Sequence, residues 1–147
     1  MLIVLDSGPL GLLSNPATEG IPRIAREWAV SRVRGGDRLC VPEIADYEVR
    51  RELLRAGRAR GVERLDGLCG NLPYAPLTTA TMRSAAALWA KARNEGVPTA
   101  HDEALDGDVI LAAQVMALRD DPEPVVVATT NVRHIARYVE ATHWRDI

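Results

Sequence analysis

A chain of 147 residues and 16.0 kDa fits one domain, expected to span residues 1–147, and is long enough to bury a core without disulfides or a structural metal. Its 47% hydrophobic and 26% charged residues exclude a disordered chain, and its longest apolar runs, such as Val125 to Ala128, are too short for a membrane span. A net charge of −2 and a pI near 5.9 lack the overall basic footprint of a nucleic-acid binder. The N-terminal residues show no basic region followed by an extended apolar stretch, so the expected location is cytoplasmic. Cys40 and Cys69 are too few for a disulfide framework and belong to no CxxC or zinc-spaced cluster, so both read as reduced packing residues.

In chain order, Met1 to Leu5 is a continuous apolar run of the kind found in buried parallel strands, and it stops at Asp6-Ser7-Gly8-Pro9. Asp6 therefore stands at the carboxyl end of a strand. Ile21 to Val33 has helical spacing, with Pro22 tolerated in the first turn and Gly35-Gly36 closing it. Leu39 to Val41 reads as a short strand. Pro42 then opens a helix through Ile44, Ala45, Val49, Leu53 and Leu54, interrupted at Gly57 or Gly61. A further helical piece covers Val62 to Leu72, and Tyr74 to Leu77 is extended. Thr78 or Thr79 caps a helix that reaches Asn94.

Glu95 to Ala104 has no periodicity and reads as a loop, after which Asp106 and Asp108 open the most apolar helix of the chain. Val125 to Thr129 is the clearest later strand, ending in Thr130-Asn131. A short helix around Ile135, Tyr138 and Val139 follows, and Trp144 lies in a terminal segment. Short apolar strands alternating with helices give an α/β fold, a three-layer α/β/α arrangement with a mostly parallel central sheet of four to five strands. In such sheets ligands gather outside the carboxyl ends of the strands.

The acids at that edge each have an ordinary structural explanation. Asp6 would cap the following turn, Asp106 would N-cap its helix, Asp108 would favour the helix dipole, and Glu48 would pair along its own helix. Together, though, they converge on one sheet edge, where carboxylates repel one another and burial of unpaired charge is costly. A divalent cation relieves that conflict, and Mg²⁺ takes oxygen ligands without help from histidine or cysteine.

Four blocks resemble the PIN-domain family, most closely its VapC-type toxins of bacterial toxin–antitoxin systems, and the resemblance covers essentially the whole chain. VLDSGPL is similar to the family's first strand followed by Asp and a hydroxyl residue, which sets Asp6 in the first acidic place with Ser7 beside it. IADYEVRREL resembles the helix bearing a single glutamate, here Glu48. LDGDVILAAQ resembles the third block, with Asp108 as its aspartate and Asp106 as an extra acid. VVVATTNV resembles the last strand. There Asn131 stands where many members have a fourth aspartate, and His134 follows where another acid is common.

The resemblance implies an endoribonuclease dependent on Mg²⁺ or Mn²⁺. Asp6 and Asp108 would be metal ligands, Glu48 and Asp106 would complete a catalytic acidic pocket, and Ser7, Thr130 and Asn131 would support it. It also implies a cognate antitoxin that occludes the site, and a homodimer. Six arginines crowd between Arg50 and Arg64, and Arg50, Arg51, Arg55 and Arg58 are expected to contact RNA or the antitoxin; a solvated helix face is the simpler reading. A PIN-like module that has lost catalysis and acts as an RNA- or protein-binding regulator is the alternative that Asn131 keeps open.

Other classes fit less well. A phospho-acceptor domain needs a lysine after a late strand, yet Lys91 is the only lysine and precedes the last acidic block. Neither GxGxxG after the first strand nor GxxxxGK[ST] is present, which argues against a nucleotide-binding domain. His101, His134 and His143 have no paired metal spacing and read as solvated or locally bonded. Trp28, Trp89 and Trp144 read as core and interface fillers.

Overall fold

The computed structural model describes residues 1–96, 102–119 and 122–147. In chain order its elements are β1 (Leu2–Leu5), α1 (Ser7–Ser14), α2 (Gly20–Arg34), β2 (Arg38–Pro42), α3 (Glu43–Arg55), α4 (Ala59–Asn71), β3 (Tyr74–Ala75), α5 (Thr79–Asn94), α6 (Asp102–Ala117), β4 (Val125–Thr129), α7 (Val132–Ile135) and β5 (Ala141–His143), before a final 3₁₀ turn. The five strands form one sheet in the order β3-β2-β1-β4-β5, and every pairing is parallel. This is the mixed α/β, PIN-like architecture expected from the sequence.

Alternation along β1 divides the core. Ile3 and Leu5 face one way, onto Leu10 and Leu13 of α1, Ala25 and Ala29 of α2, and Ala45, Val49 and Leu65 of α3 and α4. Leu2 and Val4 face the other way, onto Leu111, Ala112 and Val115 of α6 and Ile135 of α7. Helix α5 reaches this second layer by packing Ala85 on Val109 and Ala113 of α6. A strand with apolar residues on both faces has to be covered on both faces, which is why MLIVL reads as a continuous run.

Three elements differ from the sequence-based expectation; one is the strand Ala141–His143, where only a terminal segment is expected. Ser7–Ser14 is a helix, although Ser-Gly-Pro reads as a turn. Asp6 caps it, and Pro9 lies in its first turn, where backbone N–H groups need no helical partner. Helix α6 starts at Asp102, so Asp106 and Asp108 lie inside the helix and do not open it. A capping role for Asp106 is thereby removed. Part of the expected loop from Glu95 to Ala104 lies outside the described residues.

Gln114 fastens the layers at the level of the site. It is 1% exposed; its side-chain N–H donates to the Ala75 carbonyl at 2.6 Å, and its oxygen accepts from the Ile44 N–H at 3.3 Å. Helix α6 is thus tied to both β3 and the start of α3. Trp144, also buried, meets Trp28 edge to face at 5.6 Å, as expected of a core aromatic. Trp89 remains 37% exposed. Both cysteines are free, and burial pushes each thiol up to about 11, which makes them poor nucleophiles.

Candidate active site

Chain connections run from β1 to one side of the sheet through β2, while β4 lies on the other side, so the crevice at the carboxyl ends of β1 and β4 is the position where such sheets bind ligands. Asp6 emerges there. Its Oδ1 accepts from the Ser7 backbone N–H at 2.7 Å, and its Oδ2 accepts from the Thr129 hydroxyl at 2.6 Å. The second bond follows from register: Leu5 pairs with Ala128, so the next residues, Asp6 and Thr129, come together across the strands. Asp6 therefore does cap a helix, as the simpler reading holds, but with one oxygen only.

Glu48, in the middle of α3, is half-buried and shares this centre. Burial pushes its carboxyl above the usual range, and the charge of Asp6 adds to the shift. A hydrogen bond from Ser7 and the charge of Arg51 act against it, and Asp108 raises it further by a smaller amount. Burial likewise raises Asp108; the nearby His134 opposes the shift, while Asp6 reinforces it. Each shift has the same physical origin: like charges held together where water is partly excluded.

Gly107 makes the seat for Glu48. A Cβ there would lie 2.5 Å from Glu48 Oε1, so the missing side chain on α6 leaves the space that the carboxylate enters. Gly8 plays a similar part at the neighbouring corner, where a Cβ would come 2.7 Å from the Thr130 hydroxyl oxygen. These close approaches explain why glycine stands inside two helices despite its low helical propensity.

The other candidates are more exposed. Asp106 is exposed on α6. Thr130 and Asn131 are exposed as well; the Asn131 backbone N–H donates to the Thr129 hydroxyl at 2.8 Å, and its side chain makes no capping bond to α7. Thr129 is thus the hydroxyl residue that meets Asp6, a contact that the four sequence blocks do not single out. His134, read as solvated or locally bonded, brings Nδ1 to 3.5 Å from Asp108 Oδ2. His143 is locally bonded, accepting from the Arg145 N–H at 3.4 Å. His101 lies outside the described residues.

Of the arginines, Arg50 is committed to Asp46 at 2.9 Å and Asp66 at 2.7 Å. Arg55 pairs with Glu52 at 2.8 Å. Arg51 lies over the Tyr47 ring, 5.3 Å from its centroid, and its charge reaches Glu48. Arg58 lines a cleft of about 750 Å³ that starts at Ser7 and Glu48 and runs along α3.

No group of three or more His, Cys, Asp or Glu side chains that could hold a metal ion is formed among the described residues. The donor set still suits a hard dication in charge and chemistry. Asp6, Glu48 and Asp108 offer oxygens, the charge of Asp6 raises the other two carboxyls, and among the described residues no arginine or lysine closes a salt bridge with them.

No protein-family model matches the sequence, and no curated protein does. Solved structures do match the fold. One is the crystal structure of VapBC2 from Rickettsia felis bound to a DNA fragment from their promoter, with a TM-score of 0.71 at 12% identity over 98% of this chain and 99% of that one. Another is VapBC-1 from nontypeable Haemophilus influenzae, with a TM-score of 0.65 at 16% identity over 99% of each chain. At these identities the likeness concerns the fold. The shared fold agrees with the PIN-like α/β architecture expected from the sequence.

Proposed function

We propose that the chain is an endoribonuclease dependent on Mg²⁺ or Mn²⁺ and the toxin of a toxin–antitoxin pair. The observation that carries this reading is the meeting of Asp6, Glu48 and Asp108, from three distant segments, in a partly buried centre: Glu48 Oε1 sits against Gly107 beside Asp108, and the charge of Asp6 raises both of the other carboxyls. Such an arrangement costs stability unless a cation offsets it. The fold shared with the VapBC structures supports the same reading.

Asp6 and Asp108 would hold the ion, with Glu48 across from them. The ion, when bound, supplies an acidified water and positive charge for a phosphodiester. The chain's own residues set the geometry. Thr129 and the Ser7 N–H fix the two oxygens of Asp6, so its rotamer does not have to be selected during the reaction. His134 orients Asp108 from the far side. Glu48, whose carboxyl burial raises above the usual range, completes the acidic centre from α3.

The cleft along α3 gives room for RNA or for the antitoxin segment that would displace it, and exposed Tyr47 and Leu54 on that helix offer a protein partner apolar contacts. We read α2, with Ile21, Ile24, Val30 and Val33 exposed, as the surface available to a second copy. Among the described residues no helix is long and apolar enough to cross a membrane. The deciding measurement is cleavage of a mixed RNA with Mg²⁺ or Mn²⁺, its loss with EDTA, and its loss in Asp6→Asn and Asp108→Asn. RNA binding with no cleavage under any of these conditions would favour the regulator instead, the reading to which Asn131 points.

A further inference from the structure

A second pocket, of about 440 Å³ and open to solvent on one side, is bounded by α5, the end of α6 and the turn after α7. That size lies within the range of small-molecule sites, roughly 300–1,000 Å³. Its position relative to the carboxylate centre is set by the chain. The turn carrying Arg137 and Tyr138 directly follows the helix whose His134 touches Asp108, and the charge of Arg137 reaches Asp108. The cavity therefore opens beside the centre, at a different helix pair from the arginine-rich α3.

Its lining divides by chemistry. Leu88, Ala92 and Met116 form an apolar wall, Tyr138 adds an aromatic ring, and Lys91 and Arg137 bring two cations. Glu95 is the one acid in the lining, at 3.9 Å from Lys91 with both side chains well exposed. A pair of that kind is weak and leaves the ammonium open to a better partner. Arg137 makes no salt bridge among the described residues. An apolar and aromatic surface beside a guanidinium matches the two halves of a nucleotide: the base loses water against the wall, and the phosphate takes paired hydrogen bonds from arginine.

We propose that this cavity seats one nucleotide of the RNA strand next to the scissile phosphate, its base against Leu88, Ala92 and Tyr138 and its phosphate on Arg137. The inference rests on the ribonuclease reading, because it concerns where that substrate lies. It gives the strand a path across the centre, from the cleft along α3 to the pocket on α5.

The test is titration of adenosine 5′-monophosphate into the full chain, labelled at Leu, Ala and Met methyls, without added metal. Saturable shifts at the Leu88, Ala92 and Met116 methyls are expected, weaker with adenosine or with ribose 5-phosphate alone. Arg137→Ala should weaken the binding, and Ala92→Trp, which fills the cavity, should abolish it. In RNA cleavage both variants should raise KM by about fivefold or more, the lower end of what one stacked base contributes. Arg137 is exposed, so that variant decides the matter even if Ala92→Trp does not fold. Shifts absent from the cavity, or confined to Leu53 and Leu54, together with an unchanged KM in Arg137→Ala, overturn the inference while leaving the nuclease standing. Failure of the unmodified chain to cleave any RNA removes the nuclease reading, whatever the methyl shifts show.

Discussion

The arginine-rich stretch and the carboxylate centre are both dense in charge, but their charges are answered in opposite ways. Arg50 is held by Asp46 and Asp66, and Arg55 by Glu52, so much of the positive charge on α3 is met by acids of α3 and α4. At the centre, Asp6, Glu48 and Asp108 are answered by hydroxyls, an N–H and one histidine, with Arg51 and Arg137 acting by charge and without a salt bridge. Clustering in sequence is thus a poor guide to net field. Two of the six arginines in the segment that looks most basic are held by acids, and the acids that look scattered share one centre.

The largest expected effect comes from removing a charge at the centre. Asp108→Asn or Asp6→Asn should lower metal-dependent RNA cleavage by at least about 100-fold, with the circular dichroism spectrum kept. Stability should not fall with it. Relief of repulsion with Asp6 offsets the weakened hydrogen bonding, so the thermal midpoint of Asp108→Asn should match or exceed that of the unmodified chain. Cleavage at the unmodified rate in either variant ends the assignment.

Smaller losses should follow from the residues that hold the acids. Thr129→Val leaves Asp6 Oδ2 and the Asn131 N–H without their shared hydroxyl, so activity should drop by about 10- to 100-fold and stability by about 1–3 kcal/mol. Thr129→Ser should restore most of both. If Thr129→Ser is as poor as valine, packing and not the hydroxyl accounts for the loss. Gly107→Ala separates activity from stability. The added methyl improves helix propensity by up to about 1 kcal/mol yet meets Glu48 Oε1 at 2.5 Å. The expected variant melts no lower and cleaves more slowly. A variant as active as the parent would mean that Glu48 moves aside without cost.

These supporting residues are the part of the site that the sequence conceals. Asp6 is legible because an apolar strand stops at it, and Asp108 because a long apolar run follows it. Thr129 is not, since its contact with Asp6 depends on the register Leu5 with Ala128, which two apolar strands do not specify by pattern alone. His134 reaches Asp108 from another element, so no local spacing announces it. The same limit applies to the fold. Helix α1 is hidden by Gly8 and Pro9, whose turn-like chemistry is overridden by the cap from Asp6 and the burial of Leu10 and Leu13. Strand β5 is three half-buried residues whose only strong signal is the neighbour they pair with.

The smallest effects, and the ones that sharpen the contrast most, lie among the arginines. If RNA follows the cleft along α3, the cations that bind phosphate are those not already engaged by acids. Arg58 lines that cleft and shows no salt bridge among the described residues, and Arg51 stands over Tyr47 close enough to act on Glu48. For single-stranded RNA, every arginine–phosphate pairing removed should flatten the dependence of log affinity on log salt by about 0.7. The pair Arg51→Ala and Arg58→Ala should therefore reduce that slope by about 1.4 when combined. Arg50→Ala with Arg55→Ala should leave it nearly unchanged, because those guanidiniums are already held by carboxylates. An equal change in both pairs would show that local ion pairs on this helix open readily for RNA, and exposed pairs at 2.8 Å, such as Arg55 with Glu52, would then carry no information about which cations are free.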